Sequence, residues 1–135
     1  MRADDVDRLI KQAEQAIIDS KKSVFDLIEH NEMLDDDGYP TDACLDVVRL
    51  WHWNDPKGWF AFIKSVWYYG DYAWHEKFNE DALCYEYHIS TCGWSGNENI
   101  IRAMQDNGMM WHLNWYQSRR GGHYIFELKE FGDDE

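Results

Sequence analysis

The stretch "ALCYEYHISTCGWSGNENIIRAMQDNGMMWHLNWYQ", residues 82–117, decides how this chain is assembled. Its first ten residues alternate. Leu83, Tyr85, Tyr87, Ile89 and Thr91 fall on one side, and Cys84, Glu86, His88 and Ser90 on the other. That is the period of a strand. Residues 96–107 carry a helical pattern that closes at Asn107–Gly108. Residues 109–117 return to period two, with Met109, Trp111, Leu113 and Trp115 on the apolar side. Strand, helix and strand make a β-α-β unit. The helix brings the chain back, so the two strands are expected to run parallel with a right-handed crossover. Their carboxyl ends then lie at one edge of the sheet, where ligands of α/β units gather.

Downstream, "SRRGG" reads as a turn and 123–130 as the last strand, with Tyr124, Phe126 and Leu128 apolar. Cross-strand partners share a face. A four-residue loop, Arg119 to Gly122, satisfies the parity and opposes Ser118 to His123 and Trp115 to Phe126. A three-residue loop fits only with a bulge. The tail "FGDDE" reads as loose.

Upstream, residues 4–19 follow the three-four spacing of an amphipathic helix through Val6, Leu9, Ile10, Ala13 and Ile17, with Asp4 or Asp5 as N-cap. The pattern resumes at Val24, Leu27 and Ile28. Either one helix continues to about Leu34 or a second starts at Ser23. "DDDGYP", 35–40, ends it; without alternating ligands and a closing glutamate it is no EF-hand loop. Thr41 or Asp42 caps a helix to about Trp53. Asp55 with Pro56 starts another, expected to reach Tyr69 and stop at Gly70. Residues 72–78 read as a strand joined by "NED" to 82–91. The expected fold is α+β: one domain over 1–135, with a helical part, 1–70, packed on a mixed β-β-α-β-β sheet, 71–131.

The composition bounds the function. Aromatics make up 16% of 135 residues, enough to fold without disulfides or metals. The formal charge is −13 and is spread along the chain. Nucleic acid and anionic membrane are therefore not expected as partners, whereas a basic protein surface is a natural one. Three cysteines without a C-x-x-C, and no signal sequence, point to reduced thiols in a cytoplasm. No apolar run approaches the ~20 residues that span a bilayer.

Three readings meet at "TCGWSGNENI", 91–100. Gly93-Trp94-Ser95-Gly96 starts a nucleophile elbow, but Asn97 takes the last glycine position, so Ser95 is not assigned catalysis. Ser95 and Glu98 match a capping box. That leaves Trp94, an indole flanked by glycines, which tucks into the core or stacks on a ligand. Arg119 and Arg120 form the one basic pair of the second half, and their guanidinium forks suit phosphate or carboxylate. The expected ligand seat joins the two loops through Trp94, Asn97, Arg119, Arg120, Gly121, Gly122 and His123. A second constellation is a polar sheet face of Glu86, His88, His112, Asn114 and Glu127. It lacks metal-ligand spacing, so no metal and no cofactor are expected.

"YHISTCGWSGNENII", 87–101, and "WYQSRRGGHYIFEL", 115–128, resemble a family of short, mostly uncharacterised bacteriophage proteins. Those carry a His-Ile-Ser-Thr-x-Gly-Trp-Ser-Gly-Asn-Glu run and a Ser-x-Arg-Gly-Gly-His-Tyr segment. The resemblance covers about residues 72–128, and Cys92 stands where that family more often has glycine. It implies phage origin, hence the cytoplasm of a bacterial host, and no mechanism. The leading expectation is a non-enzymatic phage protein that binds a small anionic or nucleotide-like ligand and sequesters a host defence signal. The alternatives are an acidic inhibitor of a host protein and a small hydrolase-type enzyme using the His/Glu face. An oligomer is compatible with each.

Overall fold

The computed structural model describes residues 2–129; the tail expected to be loose, 131–135, lies outside them. The chain runs α1 (Ala3–His30), α2 (Asp42–Leu50), α3 (Pro56–Val66), a single turn α4 (Gly70–Ala73), β1 (Trp74–Asn79), β2 (Cys84–Ser90), α5 (Ser95–Asp106), α6 (Gly108–Asn114), β3 (Trp115–Arg119) and β4 (His123–Lys129). The α+β class stands, with the helices first. No helix among the described residues is long and apolar enough to cross a membrane.

The helix starts follow from local chemistry. The Thr41 hydroxyl accepts from the Cys44 amide and caps α2, and the Asp55 carboxylate accepts from the Gly58 amide with Pro56 behind it. Asp4 and Asp5 do not cap α1. They lie inside its first turn, where their charge meets the helix dipole. The first forty residues hold one long helix rather than two, and it ends at His30 rather than near Leu34. In "DDDGYP" the Asp35 carboxylate accepts from the amides of Asp37 and Tyr39, with Gly38 at φ +86°. The helix expected to reach Tyr69 stops at Val66. Tyr69 adopts φ 63°, a left-handed position that breaks the run before Gly70.

The sheet corrects the expected topology. Its order is β1-β2-β4-β3, and every pairing is antiparallel. The sheet is not mixed. Residues 109–114 form a helix, not the first half of a parallel strand. Gly108 opens that helix instead of ending the previous one, because Trp111 donates back to the Asn107 carbonyl. Met110 and Asn114, four apart, point inward, while Met109 and Leu113 stay exposed. The turn to β4 has three residues. Arg119 opposes His123, not Ser118 as expected. Trp115 still opposes Phe126, because a bulge at Tyr116 resets the register.

One sheet face carries the core. Phe60 of α3 stacks on Tyr87, with centroids 4.1 Å apart, and leans on Phe126 at 5.3 Å. Ile89, Ile100, Met104 and Met110 close around them. Buried indoles find acceptors: Trp59 donates to the Val48 carbonyl and Trp67 to that of Ser90. Asn107 donates to the carbonyls of Val48 and Trp51 and ties the end of α5 to the end of α2. The alternation read in β2 holds. Tyr85, Tyr87 and Ile89 face the helices, and Cys84, Glu86, His88 and Ser90 take the other side.

Candidate functional site

The two loops singled out in the sequence do meet. β2 and β3 point the same way with β4 between them, so His123 opposes both Ser90 and Arg119. Beyond that pair the Thr91 amide donates to the Gly122 carbonyl at 3.0 Å. A Cβ at Gly122 would collide with the Thr91 hydroxyl, and its φ of +79° suits glycine. The convergence comes through an intervening strand rather than through a parallel crossover.

The side chains of the two loops part company. Trp94 turns toward the helical layer and packs against two tyrosines. Tyr68 lies 4.3 Å from it at 22° and Tyr39 4.6 Å at 35°. Asn97 is fully buried. Its Oδ1 accepts from the Tyr68 amide at 2.9 Å, and its Nδ2 donates to the carbonyls of Tyr68, at 2.9 Å, and Thr91, at 3.3 Å. Both residues expected to hold a ligand are thus bound within the fold. They clamp the loop 91–94 to the end of α3. The opposed partners Arg119 and His123 belong to the other face of the sheet.

The capping box is also corrected. Ser95 is the first residue of α5, Trp94 occupies the N-cap, and no side chain caps the helix. The Trp94 carbonyl accepts from the Glu98 amide. The Ser95 hydroxyl instead meets the Tyr39 hydroxyl at 3.2 Å. The loop amides before the helix are served by its own hydroxyls. Thr91 accepts from Gly93, and Ser90 from Cys92.

The polar face keeps Glu86, His88 and Glu127 and loses two expected members. His112 is exposed on α6, and Asn114 donates to the Met110 carbonyl one turn earlier. Both left the face when 109–114 became helix. His75 takes their place. It sits on β1 directly opposite His88; a turn at 79–81 between strands 72–78 and 82–91 would have set it opposite Tyr85 instead, so the sequence reading missed it. The His88 ring lies 6.0 Å from that of His123. His88 Nε2 meets Glu86 Oε1 at 2.8 Å, and Asn79 donates to the other Glu86 oxygen, also at 2.8 Å. Those two contacts, with Lys77 at 3.7 Å, hold the Glu86 carboxyl below its ordinary range. Partial burial, then the charges of His88, Arg119 and His75, push the His123 imidazole down.

Toward the other end, Cys84, Glu86 and Glu127 each place one donor atom within 4.8 Å of the rest, a spacing one metal ion spans. Both Glu86 oxygens are already engaged by His88 and Asn79. The Cys84 sulfur lies 3.7 Å from a Glu127 oxygen.

The thiols differ in kind. Cys44 is buried, which pushes its thiol up to about 12. Cys84 is buried too, whereas Cys92 is exposed on the loop at φ 54°. A thiol-reactive chromogenic disulfide should therefore modify one cysteine promptly and the other two only after unfolding. Cys92→Ser should abolish the prompt phase. Two prompt equivalents in the native protein would contradict the burial of Cys44 and Cys84.

Comparison of the chain with protein-family models, with curated proteins and with solved structures returns no match. The functional reading therefore rests on the geometry.

Proposed function

We propose that the protein is a non-enzymatic binder of a small anionic, nucleotide-like ligand, and that the seat is the end of the polar sheet face. The observation that carries this reading is a cluster of three imidazoles and one guanidinium. In a chain of −13, His75, His88, His123 and Arg119 gather at one corner. An anion there meets a guanidinium fork and imidazoles that protonate on its arrival. Gly121 and Gly122, at φ +91° and +79°, let the turn backbone approach, with Arg120 beside them. Trp94 and Asn97 support the loop from behind and do not touch the ligand. A phage protein acting by occupancy in the host cytoplasm, removing a signalling nucleotide, fits this chemistry.

The pH dependence has a definite sign. His123 resists its proton in the folded state, so its contribution to stability is present above the ordinary histidine range. It is lost as the pH falls through the lowered value. A bound anion favours the protonated ring, so ligand binding takes up protons and tightens as the pH falls from about 7 toward 6. Calorimetric titration with inorganic phosphate and a panel of nucleotides tests the seat. Arg119→Ala is expected to weaken binding about tenfold or more, the size of one charge-assisted hydrogen bond. Trp94→Ala protein that remains folded should bind as before. Titrations indifferent to both Arg119→Ala and His123→Ala would remove the seat from this corner.

One observation favours a second reading, acid–base catalysis. Glu86 holds His88 through Nε2 at 2.8 Å and leaves Nδ1 as the ring's other nitrogen, the arrangement of an oriented base. Turnover of nitrophenyl phosphates or esters, abolished in His88→Ala, would establish it.

A further inference from the structure

The long helix α1 is built in two halves. At its C-terminal end Val24 is buried against the body, and Leu27 and Ile28 are half-buried. The half before it is different. From Ala3 to Asp19 every residue but Asp5 and Ile17 is exposed; Val6 is 41% exposed, Leu9 49% and Ile10 50%. Seventeen helical residues reach about 25 Å at 1.5 Å per residue. The apolar positions on this arm recur at a spacing of seven. Ala3, Ile10 and Ile17 make one set, continued by the buried Val24; Val6 and Ala13 make the other, which Ser20 interrupts before Leu27. Over residues 3–19 this spacing of seven fits the seam of a supercoiled pair, and Ser20 marks its inner limit. The seam that joins α1 to the body continues outward along the arm.

We propose that residues 3–19 of α1 pair antiparallel with the same residues of a second copy of this chain. Two features select that occupant and that direction. The first is volume. With the two-fold axis between Lys11 and Gln12, Val6 meets the second copy's Ile17, and Ile10 meets its Ala13. Each of these two layers joins a larger side chain to a smaller one, and this part of the patch is complementary to itself. In a parallel pair Ala13 would face Ala13 and Ile17 would face Ile17, which alternates a void with a crowded layer. The second is charge. Each chain carries −13, and antiparallel arms hold the two bodies at opposite ends, whereas parallel arms would press them together.

Covering the exposed parts of about six apolar side chains on each copy removes on the order of 1,000 Å², the threshold of a specific pair. On one flank Leu9 adds a contact to the second copy's Ala16. On the other Asp7 faces its Glu14. The pair is therefore expected to tighten as salt rises, because screening relieves that repulsion. An acidic arm that captured a basic host protein would weaken with salt instead.

Sedimentation of the full chain, from micromolar to millimolar and at two ionic strengths, tests this directly. The expected result is a concentration-dependent dimer that strengthens with salt. Ile10→Asp should raise its dissociation constant at least a hundredfold and leave the tryptophan fluorescence of the body unchanged. Direction is read by oxidative crosslinking in a Cys92→Ser background. Val6→Cys protein mixed with Ile17→Cys protein should couple to each other, and Val6→Cys alone should not. A monomer at all concentrations overturns the proposal. So do a dimer that survives Ile10→Asp and a Val6→Cys chain that couples to itself.

Discussion

Asn97→Ala is expected to destabilise the protein by about 3 kcal/mol, because it strands the Tyr68 amide and carbonyl, which have no other partner among the described residues. The Asn97 amide works as a bracket. Its oxygen takes the Tyr68 amide and its nitrogen reaches the Tyr68 carbonyl. The third contact, to the Thr91 carbonyl, is less critical, since that oxygen also accepts from the Trp94 amide at 3.0 Å. In this size range the loss lowers the melting temperature by roughly 10 °C. Urea unfolding gives the free energy. Asn97→Asp separates hydrogen bonding from volume. It retains an acceptor for the Tyr68 amide, loses the donor and places a charge at a fully buried site. Its penalty should therefore exceed that of alanine at neutral pH and shrink as the pH falls toward the carboxylate range. An Asn97→Ala protein of undiminished stability would show that the bracket is not structural and would return Asn97 to the ligand.

Gly96→Ala should invert a general rule. Gly96 lies in the first turn of α5 with no need for positive φ, so alanine there would ordinarily stabilise by about 1 kcal/mol. Here the added methyl would collide with the six-membered ring of Trp94. Tyr39 and Tyr68, with centroids 4.6 and 4.3 Å from that ring, resist its displacement. The expected net effect is a loss of about 2 kcal/mol, the scale of overpacking in a closed site. The cause is exposed by a double-mutant cycle. In a Trp94→Ala background the same Gly96→Ala change should become stabilising. Additive losses in the double variant would rule out the ring as the reason for the glycine.

Much of the fold is written locally and was legible for that reason. Thr41, the Asp55–Pro56 pair and the alternation of 84–90 act on their immediate neighbours, so neighbouring residues suffice to read them. The segment 109–117 is different. Met109, Trp111, Leu113 and Trp115 alternate, but Met110 and Asn114 carry the inward face of a helix, and only the fit against the sheet decides between them. The three-residue turn was recognisable only together with its bulge at Tyr116, which no turn residue announces. At the candidate site the meeting of the two loops was legible from strand direction. The fate of Trp94 was not. It is fixed by Tyr39 and Tyr68, which lie far away in sequence and carry no mark that would pair them with an indole. His75 joins the histidine corner through a hairpin register, a relation between strands rather than a motif within one.

The sheet order has a consequence for how the protein is made. β1 with β2, and β3 with β4, are two hairpins that close locally, and the seam between them is β2 on β4. Of these four strands, the one synthesised after the other three is thus an inner one. Until it leaves the ribosome, β2 presents a bare edge rich in aromatic and β-branched side chains, the kind of edge that recruits other nascent chains. Completion of this sheet must wait for residues 123–129, so a translation pause between β2 and β4 holds the chain at an adhesive stage.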